Sequence, residues 1–135
     1  MKRIIISLMF SLFTLFSCSS GDSDNSTSVN TSELVDTWLL KQALLNGKDV
    51  GSSNEIRFTN EKRAFFTYYK YGSNGQDITE TGTYSISGNT MIITWDTADP
   101  GLETAKYDIL ELTSSKLILK SVISGEGTLV ETYSK

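Results

Sequence analysis

The sequence predicts an all-β domain over residues 33–135, an eight-stranded antiparallel up-and-down barrel, with a β-sandwich as the alternative. No segment shows a sustained 3.6-residue period, whereas short alternating runs of apolar and polar residues recur between turn residues. The abundant β-branched and aromatic residues favour strands. No crossover helix fits between the runs, which excludes a parallel sheet. Barrel and sandwich strands alternate alike, but closure into a barrel removes both exposed sheet edges.

The predicted strands follow one another at short spacing, which is typical of a meander. Asn46–Asp49 is predicted to turn between the first two strands, and Gly88 and Asn89 form a two-residue hairpin turn because both tolerate positive φ. The eight predicted strands are residues 36–45, 55–59, 63–71, 78–87, 90–96, 104–112, 116–123 and 128–134.

One phase of each strand is apolar and is expected to face the barrel interior. An eight-stranded barrel is just wide enough to be filled by side chains or to hold one small ligand. Bulky inward residues favour a filled core, and the other interpretation is a small apolar pocket at the open end. A one-residue slip of register would exchange the two faces. The candidate ligand-binding residues are Phe66, Tyr68, Tyr84, Trp95 and Tyr107.

The third strand carries aromatic residues on both faces. Phe65, Tyr69 and Tyr71 are expected to form an outward aromatic strip near Lys70. Such a strip can stack on sugar rings or contact a partner protein, and the alternative is that it packs under a loop. Packing under a loop is the favoured interpretation, because most large apolar side chains are buried.

The composition argues against catalysis and nucleic-acid binding. The chain has no His and one Cys, which excludes a Cys and His zinc site and the usual nucleophile and base pairs. Asp96, Asp99 and Glu103 could supply oxygen ligands to Ca²⁺, but a solvated acidic loop is the favoured reading. The net charge of −4 comes without a basic patch. We therefore expect no enzyme activity, catalytic residue, metal, cofactor or nucleic-acid partner.

The N-terminus is typical of an export signal. A basic start is followed by an apolar run over residues 4–16, which spans roughly 20 Å as a helix and is short of the ~30 Å membrane core. Leu-Phe-Ser-Cys at residues 15–18 resembles a bacterial lipobox, although Phe16 stands where a small residue is usual. The resemblance implies that residues 1–17 are removed and that Cys18 is acylated. An ordinary secretory signal is the alternative.

The residues after Cys18 bear on location. Ser19 is consistent with the outer membrane of Gram-negative bacteria, and the acidic residues Asp22 and Asp24 resemble tags that export lipoproteins to the cell surface. Residues 18–32 are almost wholly polar and are expected to form a disordered tether. We therefore expect an outer-membrane lipoprotein, anchored through Cys18 and facing the periplasm or the cell surface.

Three segments resemble bacterial lipocalin-like domains. Residues 34–40 are similar to the opening L-x-G-T-W-x-L, with Asp36 in place of the usual Gly. Residues 82–91 are similar to the hairpin G-T-Y-x-I-x-G-N-x-L, and residues 107–119 to the penultimate hairpin. The resemblance implies a small calycin-type barrel in which Trp38 plugs one end. Binding of a small apolar or amphipathic ligand is the expected function. The alternative is an envelope interaction module with a filled barrel, which binds a protein or glycan through its loops or its aromatic strand.

Overall fold

The computed structural model describes residues 29–51 and 53–135. The predicted signal peptide, Cys18 and the tether up to residue 28 lie outside this part of the chain. The described residues contain no helix that is both long and apolar enough to cross a membrane. The elements are α1 Thr31–Leu34, β1 Thr37–Leu45, β2 Lys48–Asp49, β3 Asn54–Phe58, β4 Arg63–Tyr68, β5 Ile78–Ser87, β6 Thr90–Trp95, β7 Thr104–Leu112, β8 Lys116–Ile123 and β9 Gly127–Ser134.

The strands form an antiparallel meander that closes on itself. Each strand from β3 to β9 pairs with its neighbour in sequence, and β1 pairs with both β3 and β9. The last pairing brings Leu40 opposite Tyr133 and Leu45 opposite Leu129. β2 only extends the end of β1 around the turn at Asn46 and Gly47. The predicted eight-stranded barrel is confirmed, and the sandwich is not the fold.

Several predicted boundaries differ from those of the structure, and two of these differences matter here. The third predicted strand was expected to reach residue 71, but β4 ends at Tyr68. Lys70 has a φ of 56°, which a continuing strand does not permit, and its amide donates instead to Asp77 at 2.9 Å. The tether was expected to continue to residue 32, but α1 begins at Thr31 and Val29 already packs against the core.

β-Bulges interrupt the alternation of two strands. The register shifts between Leu40 and Gln42 in β1, so that the inward phase passes from Trp38 and Leu40 to the buried Ala43. A second shift lies between Ile109 and Glu111 in β7. Because a bulge inserts one residue, it moves the following side chains to the other face. These two shifts keep apolar residues inside along the full length of both strands.

The barrel has two different ends because the connections of a meander alternate between them. The closed end carries α1, the chain terminus at Lys135 and the tight turns β3–β4, β5–β6 and β7–β8. The open end carries the longer connections, residues 46–53, 69–77 and 96–103, and the β8–β9 turn. Long loops leave a mouth at this end, whereas tight turns allow the closed end to be sealed.

Trp38 lies at the closed end of the barrel. Its side chain is fully buried, and its indole Nε1 donates to the Leu34 carbonyl of α1 at 2.9 Å. The Lys135 ammonium lies 4.7 Å from the centre of the indole ring, in a cation–π arrangement. Trp38 is therefore contacted both by the short helix before β1 and by Lys135, which follows β9.

The lower barrel, beside the closed end, is filled by side chains. Phe58 packs edge-to-face against Tyr84, with ring centres 5.1 Å apart, and against Phe66 at 6.4 Å. Gly82 is required where β5 and β6 pass closely, since a Cβ there would lie 2.5 Å from the Thr94 carbonyl oxygen. The other fully buried members of this core are Leu34, Ile56, Ala64, Met91, Ile93, Leu117, Leu119 and Tyr133.

Candidate functional site: a cavity at the open end

A cavity of about 910 Å³ occupies the upper barrel and opens at its mouth. Residues of β1, β3, β4, β7, β8 and β9 line it, together with residues of the open-end connections. Its apolar wall includes Ala43, Phe66, Tyr107 and Leu129. This volume falls in the range of pockets that enclose small molecules. The interior is therefore filled in one half and open in the other.

Phe66 forms the boundary between the two halves. Its ring is 2% exposed and stacks on Tyr107 with centres 6.2 Å apart and an interplanar angle of 24°. It also packs edge-to-face on Trp95 at 5.1 Å and contacts Phe58 of the core below. The floor of the cavity is thus an aromatic layer whose orientation is set by the packed core. Such a layer offers a rigid apolar surface to a ligand.

The structure separates the five predicted ligand-binding residues. Phe66, Tyr68 and Tyr107 line the open-end cavity. Trp95 contacts Phe66 but lines a neighbouring cavity of about 570 Å³. Tyr84 is 4% exposed within the closed-end core, and its hydroxyl donates to the Thr59 carbonyl at 3.0 Å. The prediction for Tyr84 needs this correction because alternation shows the inward face of β5 but not the depth along the barrel.

Two polar residues of the cavity were missed from the sequence. Asn54 is 6% exposed and Glu131 is 9% exposed, and both line the cavity. Leu129 and Tyr133 belong to the inward phase of β9, and the same alternation places Glu131 between them. That spacing was the signal that could have identified an inward carboxylate.

Burial changes the protonation chemistry of the cavity. It raises the pKa of Glu131, and the nearby Tyr133 hydroxyl and Asn54 amide oppose this only in part. Burial also raises the pKa of the Tyr107 hydroxyl, an effect that the charge of Glu131 reinforces. Tyr68 likewise has a raised pKa, from burial and from Glu80, to which its hydroxyl donates at 3.3 Å. All these shifts disfavour negative charge inside the barrel.

The mouth is surrounded by exposed apolar side chains. Tyr71 is 77% exposed, Val122 74%, Leu102 64% and Val50 50%, and they lie on or beside the connections of the open end. We refer to these four residues as the apolar rim. Three of them, Val50, Leu102 and Val122, also line the cavity. Apolar groups at a mouth lower the cost of passing an apolar molecule from water into the interior.

The predicted aromatic strip on the outside of β4 is not continuous. The Arg57 guanidinium covers the Phe65 ring at 4.2 Å, and the Tyr69 hydroxyl donates to Glu55. Only Tyr71 is widely exposed, and its ring contacts Tyr68 at 5.9 Å. The strip was expected to be either open or covered by a loop; an arginine covers part of it instead.

The acidic loop after β6 uses its carboxylates for local contacts. Asp96 accepts from the Arg63 guanidinium, with Nη1 to Oδ1 at 2.9 Å, and from the Thr81 hydroxyl. These contacts lower the pKa of Asp96 to about 2. Glu103 accepts from the Gly101 amide at 2.9 Å. Over residues 29–51 and 53–135, no group of three or more His, Cys, Asp or Glu residues is arranged to hold a metal ion.

Comparisons with known proteins agree on the architecture. The family model described as "Lipocalin-like domain" matches residues 20–119. A lipocalin-like protein from Bacteroides uniformis is 17% identical with a TM-score of 0.60, over 76% of this chain and 98% of that one. The bovine lipocalin allergen Bos d 2 is 14% identical with a TM-score of 0.52, over 79% and 75%. No curated protein sequence matches the chain significantly.

Proposed function

Because the chain belongs to the lipocalin-like domain family, we propose that it is a lipid-anchored envelope protein whose barrel binds one small apolar or amphipathic molecule. The observation that carries this proposal is the cavity of about 910 Å³ above a completely packed core. Its aromatic floor and apolar rim provide contact area for an apolar ligand, and burial of such area contributes about 25 cal/mol per Å². The site residues we propose are Phe66, Tyr68 and Tyr107, with Trp95 supporting Phe66.

The direction of the chain supports anchoring at the end away from the mouth. α1 and the start of β1 lie at the closed end, so a tether from an acylated Cys18 would join the barrel there. With this geometry the mouth points away from the outer membrane, toward the periplasm or the medium. Such an orientation suits capture of a molecule from the aqueous side.

We propose binding rather than catalysis. The chain has no His, the side chain whose ordinary pKa lies nearest to neutral. A general base needs a pKa near the working pH and a substrate proton within reach. A binding role needs only the shape and the contacts that the cavity supplies.

The apolar rim favours a second candidate function, the docking of an envelope protein or glycan at the mouth. Tyr71 and Val122, each more than 70% exposed, are the residues that such a partner would cover. A filled barrel is expected for this function, but the upper half of the barrel contains a cavity. The two functions differ in which substitutions abolish them, the cavity wall or the rim.

Native mass spectrometry tests the proposal. Residues 19–135 include every strand of the barrel and would be purified from the native host, then weighed under native and denaturing conditions. We expect an additional mass that disappears on denaturation. Ala43→Trp, which places an indole in the cavity wall, should remove this mass, whereas Lys116→Gln at the closed end should retain it. Absence of the mass, together with loss of a captured partner in Tyr71→Ser, would favour the docking function.

The anchor is tested separately in the full chain. Cys18→Ala should abolish incorporation of labelled palmitate and release the protein from the membrane fraction, because two or three acyl chains are needed for firm anchoring. Unchanged membrane association and labelling would contradict the lipoprotein proposal and leave the binding proposal intact.

A further inference from the structure

We propose that the open-end cavity selects amphipathic ligands with a primary ammonium head, which binds beside the Glu131 carboxylate and the Asn54 side-chain oxygen. The inference rests on the proposed function, and it adds the chemical class of the ligand. Glu131 is 9% exposed and Asn54 6%, so both groups lie deep in the cavity rather than at its rim.

An unpartnered acceptor points to a ligand that donates hydrogen bonds. Asn54 Oδ1 is buried without a hydrogen-bond partner, and the hydroxyl of the fully buried Tyr133 lies beside the Glu131 carboxyl group. Both side chains lie close enough to the Glu131 carboxyl group to influence its pKa. A buried polar atom without a partner costs about 1–3 kcal/mol. A ligand with several N–H donors would satisfy the amide oxygen and the carboxylate together.

The buried charge of the cavity points to a cation. Four ion pairs occur between described residues, and neither Glu131 nor Glu80 takes part in any of them. Two lysines also line the cavity: Lys120 is paired with Asp108 at 3.0 Å, and Lys106 forms none of the four ion pairs. Lys106 is exposed, however, whereas Glu131 is buried. Burial raises the pKa of Glu131, which shows that its surroundings stabilise a carboxylate poorly. An ammonium group beside it supplies the missing counter-charge.

The aromatic floor fits the remainder of such a ligand. Phe66 and Tyr107 present stacked rings to the cavity, and Leu129 adds an aliphatic wall. Ring faces attract cations as well as apolar chains. A fatty acid would instead bring a second carboxylate toward Glu131, which like-charge repulsion disfavours. The cavity therefore selects the head group of the ligand by its charge and the apolar part of the ligand by its shape.

Calorimetric titration of residues 19–135 with decylamine, decanol and decanoate at neutral pH tests the inference. The three probes share a chain length and differ in the head group. We expect decylamine to bind at least about tenfold more tightly than decanol, as one charge-assisted hydrogen bond predicts. Decanoate should bind most weakly.

Glu131→Gln is the decisive variant, since it keeps the shape of the side chain and removes its charge. Decylamine affinity should fall about tenfold to that of decanol, and decanol binding should stay the same. Glu111→Gln is the matched control because Glu111 pairs with Lys116 at 2.9 Å and does not line the cavity. Asn54→Leu removes the unpartnered acceptor and should weaken decylamine binding by a smaller factor.

The outcomes separate this inference from the function on which it rests. If decanol binds but decylamine gains nothing, if decanoate is preferred, or if Glu131→Gln leaves the selectivity unchanged, the amine class is wrong and the carrier function stands. If none of the three probes binds and native mass spectrometry shows no bound molecule, both proposals are overturned.

Discussion

The two halves of this barrel are built from the same strands and have opposite interiors. Around Trp38, the inward residues of neighbouring strands interlock and leave no space for a ligand. Above Phe66, the same strands carry Ala43, Tyr107 and Glu131, and a cavity of about 910 Å³ remains. The small side chain of Ala43 on β1 and the carboxylate of Glu131 on β9 fill less of the interior than the large apolar side chains of the lower half. The closely packed apolar residues are thus concentrated at the closed end, and the cavity lies at the open end.

Trp38→Ala should break the stable half and have the largest effect. It removes a fully buried indole that donates to Leu34 and contacts Lys135. We expect the free energy of unfolding to fall by about 3–5 kcal/mol. Urea denaturation followed by tyrosine fluorescence or circular dichroism measures it, with Trp95→Ala as the comparison at the edge of the open half. A loss below that of Trp95→Ala would contradict the role of Trp38 as the end plug.

A matched pair of leucines measures the contrast directly. Leu119 is fully buried in the core and Leu129 lines the cavity on the adjacent strand. Leu119→Ala should lower the free energy of unfolding by about 2–5 kcal/mol because it leaves a new cavity in packed surroundings. Leu129→Ala enlarges an existing cavity and should cost about 1 kcal/mol or less. Equal losses in thermal or urea unfolding would mean that the upper half is packed as tightly as the lower.

Glu131→Gln should stabilise the open half by about 1 kcal/mol at neutral pH. Burial raises the pKa of Glu131 above its ordinary value of 4.5, so folding disfavours the charged form. The resulting cost to stability is present above the folded pKa and disappears as the pH falls below about 4. The variant should therefore gain stability at pH 7 and lose that gain at pH 3. Urea midpoints that differ equally at both pH values would show that charge burial is not the cause.

The Arg63 and Asp96 pair should give the smallest effect. Asp96 has its pKa lowered to about 2, first by Arg63 and then by Thr81. A lowered folded pKa adds stability above the unfolded value of about 4, and this contribution is lost as the pH falls from there toward 2. Asp96→Asn should flatten this part of the stability profile slightly, because the pair is solvent-accessible. Asp99→Asn is the control. If the stability of both variants depends on pH in the same way, the Arg63–Asp96 pair is not the cause of this pH dependence.

Much of the fold follows from local pattern. A two-residue period determines which side chains share a face, and turn residues determine where a strand ends. Residues 78–87 and 116–123 are therefore strands in the structure as they were in the sequence. The segment around Trp38 also carried enough signal to place its indole inside the barrel. The same alternation places Glu131 on the inward face of β9, between Leu129 and Tyr133, although a carboxylate is unusual at an inward position.

The site depended on information that alternation lacks. The end of β4 at Tyr68 follows from the backbone conformation of Lys70, and the bulge after Leu40 changes which face Ala43 occupies. Depth is the larger omission, because Tyr84 and Tyr107 have the same inward phase and lie in different halves.

The sequence by itself determined the order of the eight barrel strands, most of their inward positions and the family, since period, turn chemistry and motif order are properties of neighbouring residues. The tertiary structure alone decided closure through the β1–β9 pairing and the position of the cavity. It also decided the burial of Glu131 and Asn54 side by side. These features arise where strands distant in the chain meet at one depth of the barrel, and their volumes and charges combine only there.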